Sequence, residues 1–115
     1  MKHTINRGDV FYANLKSDGT SRQSGIRPII VISNPQCNRH SPIISILTCT
    51  TSKTKHPLPT HISLLASETG MKYDSICLCE QPMSIAKTDL LEFITTLSNE
   101  HMEKVNAGLR CQLCL

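Results

Sequence analysis

The chain has no tryptophan, and its aromatic side chains are two Tyr and two Phe among 115 residues. Large flat rings therefore cannot organise the core, which Ile, Leu, Val and Met must fill. No apolar run approaches the roughly 18 residues that a membrane-crossing helix requires. The opening "MKHTINRGD" carries positive charge but no apolar stretch behind it. That argues against a secretory signal and makes the cytoplasm the expected compartment. Repeats, low-complexity tracts and linkers are missing too, so residues 1–115 read as a single domain.

Charge of one sign is also scarce. The formal net charge is +3, with five His beside it. This mild basicity suits an anionic ligand without demanding nucleic acid. Cysteine, by contrast, is plentiful: Cys37, Cys49, Cys77, Cys79, Cys111 and Cys114. Without an export signal these are expected as thiols rather than disulfides. Cys77 and Cys79 are two apart in an apolar run and should share one strand face. Cys111 and Cys114 form a CxxC, but one CxC with one CxxC is not the usual pair of structural zinc knuckles. Small buried or half-buried thiols are the expected reading, and no metal is expected.

Along the chain, "RGDVFYANL" predicts a strand over 9–15. Residues 16–26 are rich in Ser and Gly and predict a loop. "PIIVIS" (28–33) is continuous, apolar and β-branched, as in a strand buried on both faces. Pro28 should be tolerated only at its first position. Residues 34–42 read as a loop, 43–51 as a strand, and "SKTKHPLP" as a basic loop. Strands follow at 60–64, 75–81 and 93–97, with a turn around Gly70 and a helical turn in "SIAKTDLLE". The C-terminal helix begins at Ser98, a good N-cap. Leu97 and Met102 can form a hydrophobic staple, and Met102, Val105 and Leu109 share one face. Gly108 should weaken this helix by about 1 kcal/mol relative to Ala. Short strands, long polar loops and a terminal helix predict an α+β domain: a small SH3-like β-barrel with helical decoration.

Several strings, taken together and in order, carry a resemblance. "RGDVFYANL", "SRQSGIRPIIVIS", "TCTT", "LPTHISL" and "DSICLCEQ" resemble the MazF/PemK family of bacterial endoribonuclease toxins. The resemblance covers nearly the whole chain and is strongest from Arg7 to Gln81. It implies a CcdB/MazF-type barrel of antiparallel strands with a C-terminal helix, assembled as a homodimer. It also implies metal-independent, cofactor-free cleavage of single-stranded RNA at short sequences. The expected products are a 2′,3′-cyclic phosphate and a 5′-hydroxyl. The implied partner is a MazE-like antitoxin whose disordered acidic and apolar segment threads over the RNA groove.

By the same resemblance, the family's arginine before proline falls on Arg27 and its catalytic threonine on Thr50. Ser21 and Gln23 match polar positions of the loop that closes over RNA, and Gln81 matches the Gln of the "EQ" pair. Arg22 stands where relatives often carry glutamate, so this loop offers phosphate a second cation and no obvious base. Thr51, Ser52 and Lys53 continue the polar, basic rim beyond Thr50.

The residue chemistry is compatible with that role. Attack of a 2′-hydroxyl on the adjacent phosphorus builds a crowded dianion. The planar arginine fork donates two parallel hydrogen bonds to such oxygens. Arg27 stays protonated and is a poor base, so the base is left unassigned. His40, His56 and His61 are scattered without a suggestive spacing, and His61 is expected to be structural or at the groove wall. With so few rings, base readout should rest on loop hydrogen bonds and Gln81 rather than on stacking. Two other classes fit the barrel: a non-nuclease binding protein, such as a gyrase-poison-like toxin or nucleic-acid-binding module, and a zinc protein.

Overall fold

Three short apolar strands build the centre of the molecule. The computed structural model describes residues 4–20, 24–51 and 58–115. In it β1 (Asp9–Leu15), β2 (Gly25–Val31) and β3 (Ile43–Thr50) lie side by side. Ile29, Ile30 and Val31 of β2 are fully buried, as a strand covered on both faces requires. Successive residues alternate between two apolar clusters, following the period of two of a strand. Val10, Ile30, Leu47 and Cys49 enter one cluster. Phe11, Ile29, Val31 and Ile46 enter the other.

The remaining strands are β4 (His61–Leu64), β5 (Ser75–Ala86) and β6 (Leu90–Thr96). All pairings are antiparallel, in the order β4-β5-β3-β2-β1-β6. The sheet curls into a half-barrel, and the C-terminal helix packs on it. This is the expected α+β architecture. Among the described residues three helices decorate the sheet: α1 (Pro35–His40), α2 (Ala66–Thr69) and α3 (Asn99–Leu113). As predicted, Ser98 caps α3, its hydroxyl accepting from the His101 amide at 3.2 Å. Leu97, Met102 and Val105 join the first cluster, with Leu109 packed against it.

Local expectations failed in several places. Residues 34–42 are not all loop. Asn34 caps α1, accepting from the Cys37 amide at 2.9 Å, and Pro35 occupies the first turn, where its missing amide costs nothing. Pro28 is not at the start of β2 but at its middle, opposite Tyr12. The β2–β3 ladder extends only from Ile29 to Val31, so at Pro28 the strand has one neighbour, as an edge strand does. β5 continues past 81 to Ala86 through a bulge: Leu47 faces Pro82 while Thr48 faces Leu78. That extension absorbs part of the segment expected as a helical turn, leaving a 3-10 turn at Lys87–Asp89. β6 begins at Leu90, three residues earlier than the alternation suggests.

The cysteines divide by burial. Cys49, Cys77 and Cys79 are fully buried, whereas Cys111 and Cys114 are exposed rather than half-buried. Cys77 and Cys79 share a face as expected, with sulfurs 4.0 Å apart. Among the described residues, no group of three or more His, Cys, Asp or Glu side chains is placed to hold a metal ion. Hydrogen bonding to Cys49 and Cys79, together with burial, pushes the Cys77 thiol well above the ordinary range. A thiol covered by the core is out of a reagent's reach, and Cys49, Cys77 and Cys79 are all fully buried. A thiol-alkylating reagent should therefore label Cys111 and Cys114 in the native protein. Cys49, Cys77 and Cys79 should be labelled only after denaturation, as read by peptide mass spectrometry.

Candidate active site

Where β2 and β3 separate, the half-barrel opens into a cleft of about 200 Å³. The ladder between them ends at Ile29 and Thr48. The residues beyond it, Arg27 and Pro28 on one strand and Cys49 and Thr50 on the other, line the opening. Thr51 lines it too, and Met71, Lys72, Tyr73 and Ser75 close it from the segment leading into β5. The cleft thus brings together Arg27, Thr50 and Thr51.

Arg27 stands on β2, paired with Ala13 of β1. Its Nε donates to the Ser24 carbonyl oxygen at 2.9 Å. That bond fixes the plane of the guanidinium, and the Nη atoms carry the remaining donors of the fork. Among the described residues it is the only hydrogen bond of this side chain. Thr50 ends β3 opposite Ile76 of β5 and is 5% exposed. Its backbone is therefore held by β5 on one side, the ladder to β2 having ended at Thr48.

Lys72 is a cation of the cleft that the sequence reading does not name. Lys72 lines the cleft, with its Nζ 5.3 Å from the centroid of the Tyr12 ring and 3.2 Å from Glu92 Oε1. The hydrogen bond and negative charge of Glu92 raise its pKa above the ordinary lysine value. Lys72 is thus a cation here and not a base. Neither a carboxylate nor an imidazole is among the described residues lining the cleft. Its chemistry is therefore that of an anion site with hydroxyl donors, and no described lining residue has the chemistry of a carboxylate or histidine base.

The other expected positions fall elsewhere. Ser21, Arg22, Gln23, Ser52 and Lys53 lie outside the described residues, as does His56. Gln81 sits in the β5 bulge and does not line the cleft. Its neighbour Glu80 accepts from Thr60 Oγ1 at 3.1 Å and lies 2.9 Å from His61 Nε2. His61 Nδ1 accepts from the Leu58 amide at 3.2 Å, so Nε2 carries the proton and donates to Glu80. His61 is structural: both of its nitrogens hold the chain entering β4. The segment "GMKYD" has only a turn signature, which does not place Lys72 or Tyr73 at the cleft. Nothing local in it announces that the turn folds across to Arg27.

Residues 6–113 match the family of PemK-like, MazF-like toxins of type II toxin–antitoxin systems. The chain belongs to this toxin family. The toxin is 40% identical over 111 residues to Endoribonuclease EndoA of Bacillus subtilis, covering 96% of both chains. Its fold matches that of MazF from Deinococcus radiodurans with a TM-score of 0.84, at 17% identity, covering 99% of this chain and 100% of that one. A mycobacterial endoribonuclease in complex with its cognate antitoxin matches with a TM-score of 0.76, at 21% identity, over 99% of this chain and 97% of that one. The last two establish likeness of fold.

Proposed function

We propose that this toxin is a sequence-specific endoribonuclease that cuts single-stranded RNA without a metal and thereby arrests translation and growth. The observation that carries the reading is the convergence of the Arg27 guanidinium with Thr50, Thr51 and Lys72 in one cleft. In the proposed step the ribose 2′-oxygen attacks the adjacent phosphorus. The 2′-O–P bond forms, the P–O5′ bond breaks, the 2′ proton leaves, and the departing 5′-oxygen gains one. The products are a 2′,3′-cyclic phosphate and a 5′-hydroxyl. Arg27 and Thr50 are the catalytic residues, donating to non-bridging oxygens as charge develops. Donors preorganised at such positions are usually the largest contribution to catalysis. Ser21, Arg22, Gln23, Thr51, Ser52, Lys53 and Gln81 are proposed to bind RNA. No cofactor is needed.

The family matched here is defined by toxin–antitoxin pairs, and 40% identity to an endoribonuclease over nearly full length supports the nuclease reading. The proposed assembly is a cytoplasmic homodimer. A MazE-like antitoxin would inhibit it by laying an acidic, apolar segment across the same cationic cleft. No described helix is long and apolar enough to cross a membrane.

The direct test is purified protein incubated with a diverse single-stranded RNA pool in excess EDTA. Cleavage should persist, and end analysis should find cyclic phosphates and 5′-hydroxyls clustered at one short sequence. Loss of all cutting in EDTA, restored by a divalent ion, would reject the metal-free step. Absence of cutting under every condition would leave the barrel as a binding protein.

A further inference from the structure

Tyr73 is 66% exposed and Ile26 is 65% exposed, and both line the cleft that holds Arg27 and Thr50. The exposure of Tyr73 is not a consequence of a loose backbone. Its carbonyl accepts from Ser75 Oγ at 2.9 Å, and the side chain of the next residue, Asp74, accepts from the Ala66 amide at 2.7 Å. The turn is thus tied on both sides, yet among the described residues the Tyr73 side chain makes no hydrogen bond. Tyr12, the other ring of the cleft, is half-buried and lies under the Lys72 ammonium. The fold therefore employs one ring in the cleft wall and presents the second to solvent at its mouth.

We propose that Tyr73, with Ile26, is the stacking surface for the base of the nucleotide adjoining the scissile phosphate. This rests on the RNA-cleavage reading of the same cleft and gives it a residue that binds a base. Two cations, Arg27 and Lys72, prescribe an anion, and the exposed ring prescribes a flat apolar group close to it. A nucleotide supplies both within one unit. An acidic peptide would satisfy the cations but leave the ring without a planar partner. Stacking tolerates any base because each has a π-face, so Tyr73 serves affinity more than choice of cleavage sequence. The scarcity of rings in the chain does not preclude a platform, since a single one is placed where it counts.

Tyr73→Ala should weaken binding of a single-stranded RNA blocked by a 2′-deoxy sugar at the cleavage site by about 5- to 100-fold. On cleavable RNA the loss should fall mainly in KM. Tyr73→Phe should restore most of the binding lost in the alanine variant. The chain lacks Trp, so Tyr73→Trp introduces a single reporter whose fluorescence the blocked RNA should quench. Unchanged binding by Tyr73→Ala, with wild-type protein still cutting RNA, would reject the stacking role and leave the nuclease reading standing. Quenching without any cleavage by wild-type protein would retain the base site and reject the nuclease. Neither quenching nor cleavage would reject both. If the reporter responds to protein concentration alone and not to RNA, a second copy covers the ring and the proposal falls.

Discussion

Arg27→Ala lowers the RNA cleavage rate by about 10²–10³-fold, the usual cost of removing one preorganised donor from developing charge. The fold should survive the change. Arg27 is at the outer end of β2, half-buried, and among the described residues it makes one hydrogen bond, to the Ser24 carbonyl oxygen. The strand itself is held by Ile29, Ile30 and Val31, all fully buried. Circular dichroism and thermal unfolding should therefore match wild type while activity is lost. Arg27→Lys should recover little, because an ammonium is a point charge and cannot donate the paired bonds of the fork. A variant that folds and still cuts near the wild-type rate would remove Arg27 from the mechanism. A variant that has lost its melting transition would assign the arginine to folding instead.

Gly108→Ala destabilises the protein, although alanine is the better helix former. The intrinsic preference favours the substitution by about 1 kcal/mol. Packing opposes it. Gly108 is buried against β5, and a Cβ there would lie 2.6 Å from Cys79 Sγ and 3.2 Å from Cys79 Cβ. The sulfur has little room to turn, with Cys77 Sγ at 4.0 Å and the Val105 carbonyl oxygen at 3.8 Å. Overpacking of this kind costs about 1–3 kcal/mol. The net expectation is a loss of up to about 2 kcal/mol, read as a lower midpoint in urea at unchanged slope. Cys79→Ala removes the nearer contact. In the double variant the two effects should therefore add to less than their sum. A higher urea midpoint for Gly108→Ala alone would show that α3 stands farther from β5 than the structure places it.

The same glycine shows where reading a sequence stops. In the helix pattern it is only a weak position, with a penalty and no benefit. Its reason lies some thirty residues earlier, in a thiol on β5 that no local window contains. Pro28 teaches the converse. The rule that proline starts a strand assumes neighbours on both sides, and here one neighbour begins a residue later. The capping signals at Asn34 and Ser98 are local, because a side chain there bonds an amide three residues on. Both signals stand in the sequence itself, in "NPQ" and in "SNEH".

By itself the sequence determined the buried central strand and the capped C-terminal helix. These follow from nearest neighbours along the chain: a continuous apolar, β-branched run and a hydroxyl at a helix start. Arg27 and Thr50 were singled out by the resemblance to the toxin family, carried by motif strings in a fixed order. Only the tertiary structure decided which residues close the cleft. Lys72 and Tyr73 reach it because β5 pairs with β3 and carries the preceding turn across to β2. That proximity comes from strand order and register, which depend on contacts distant in sequence.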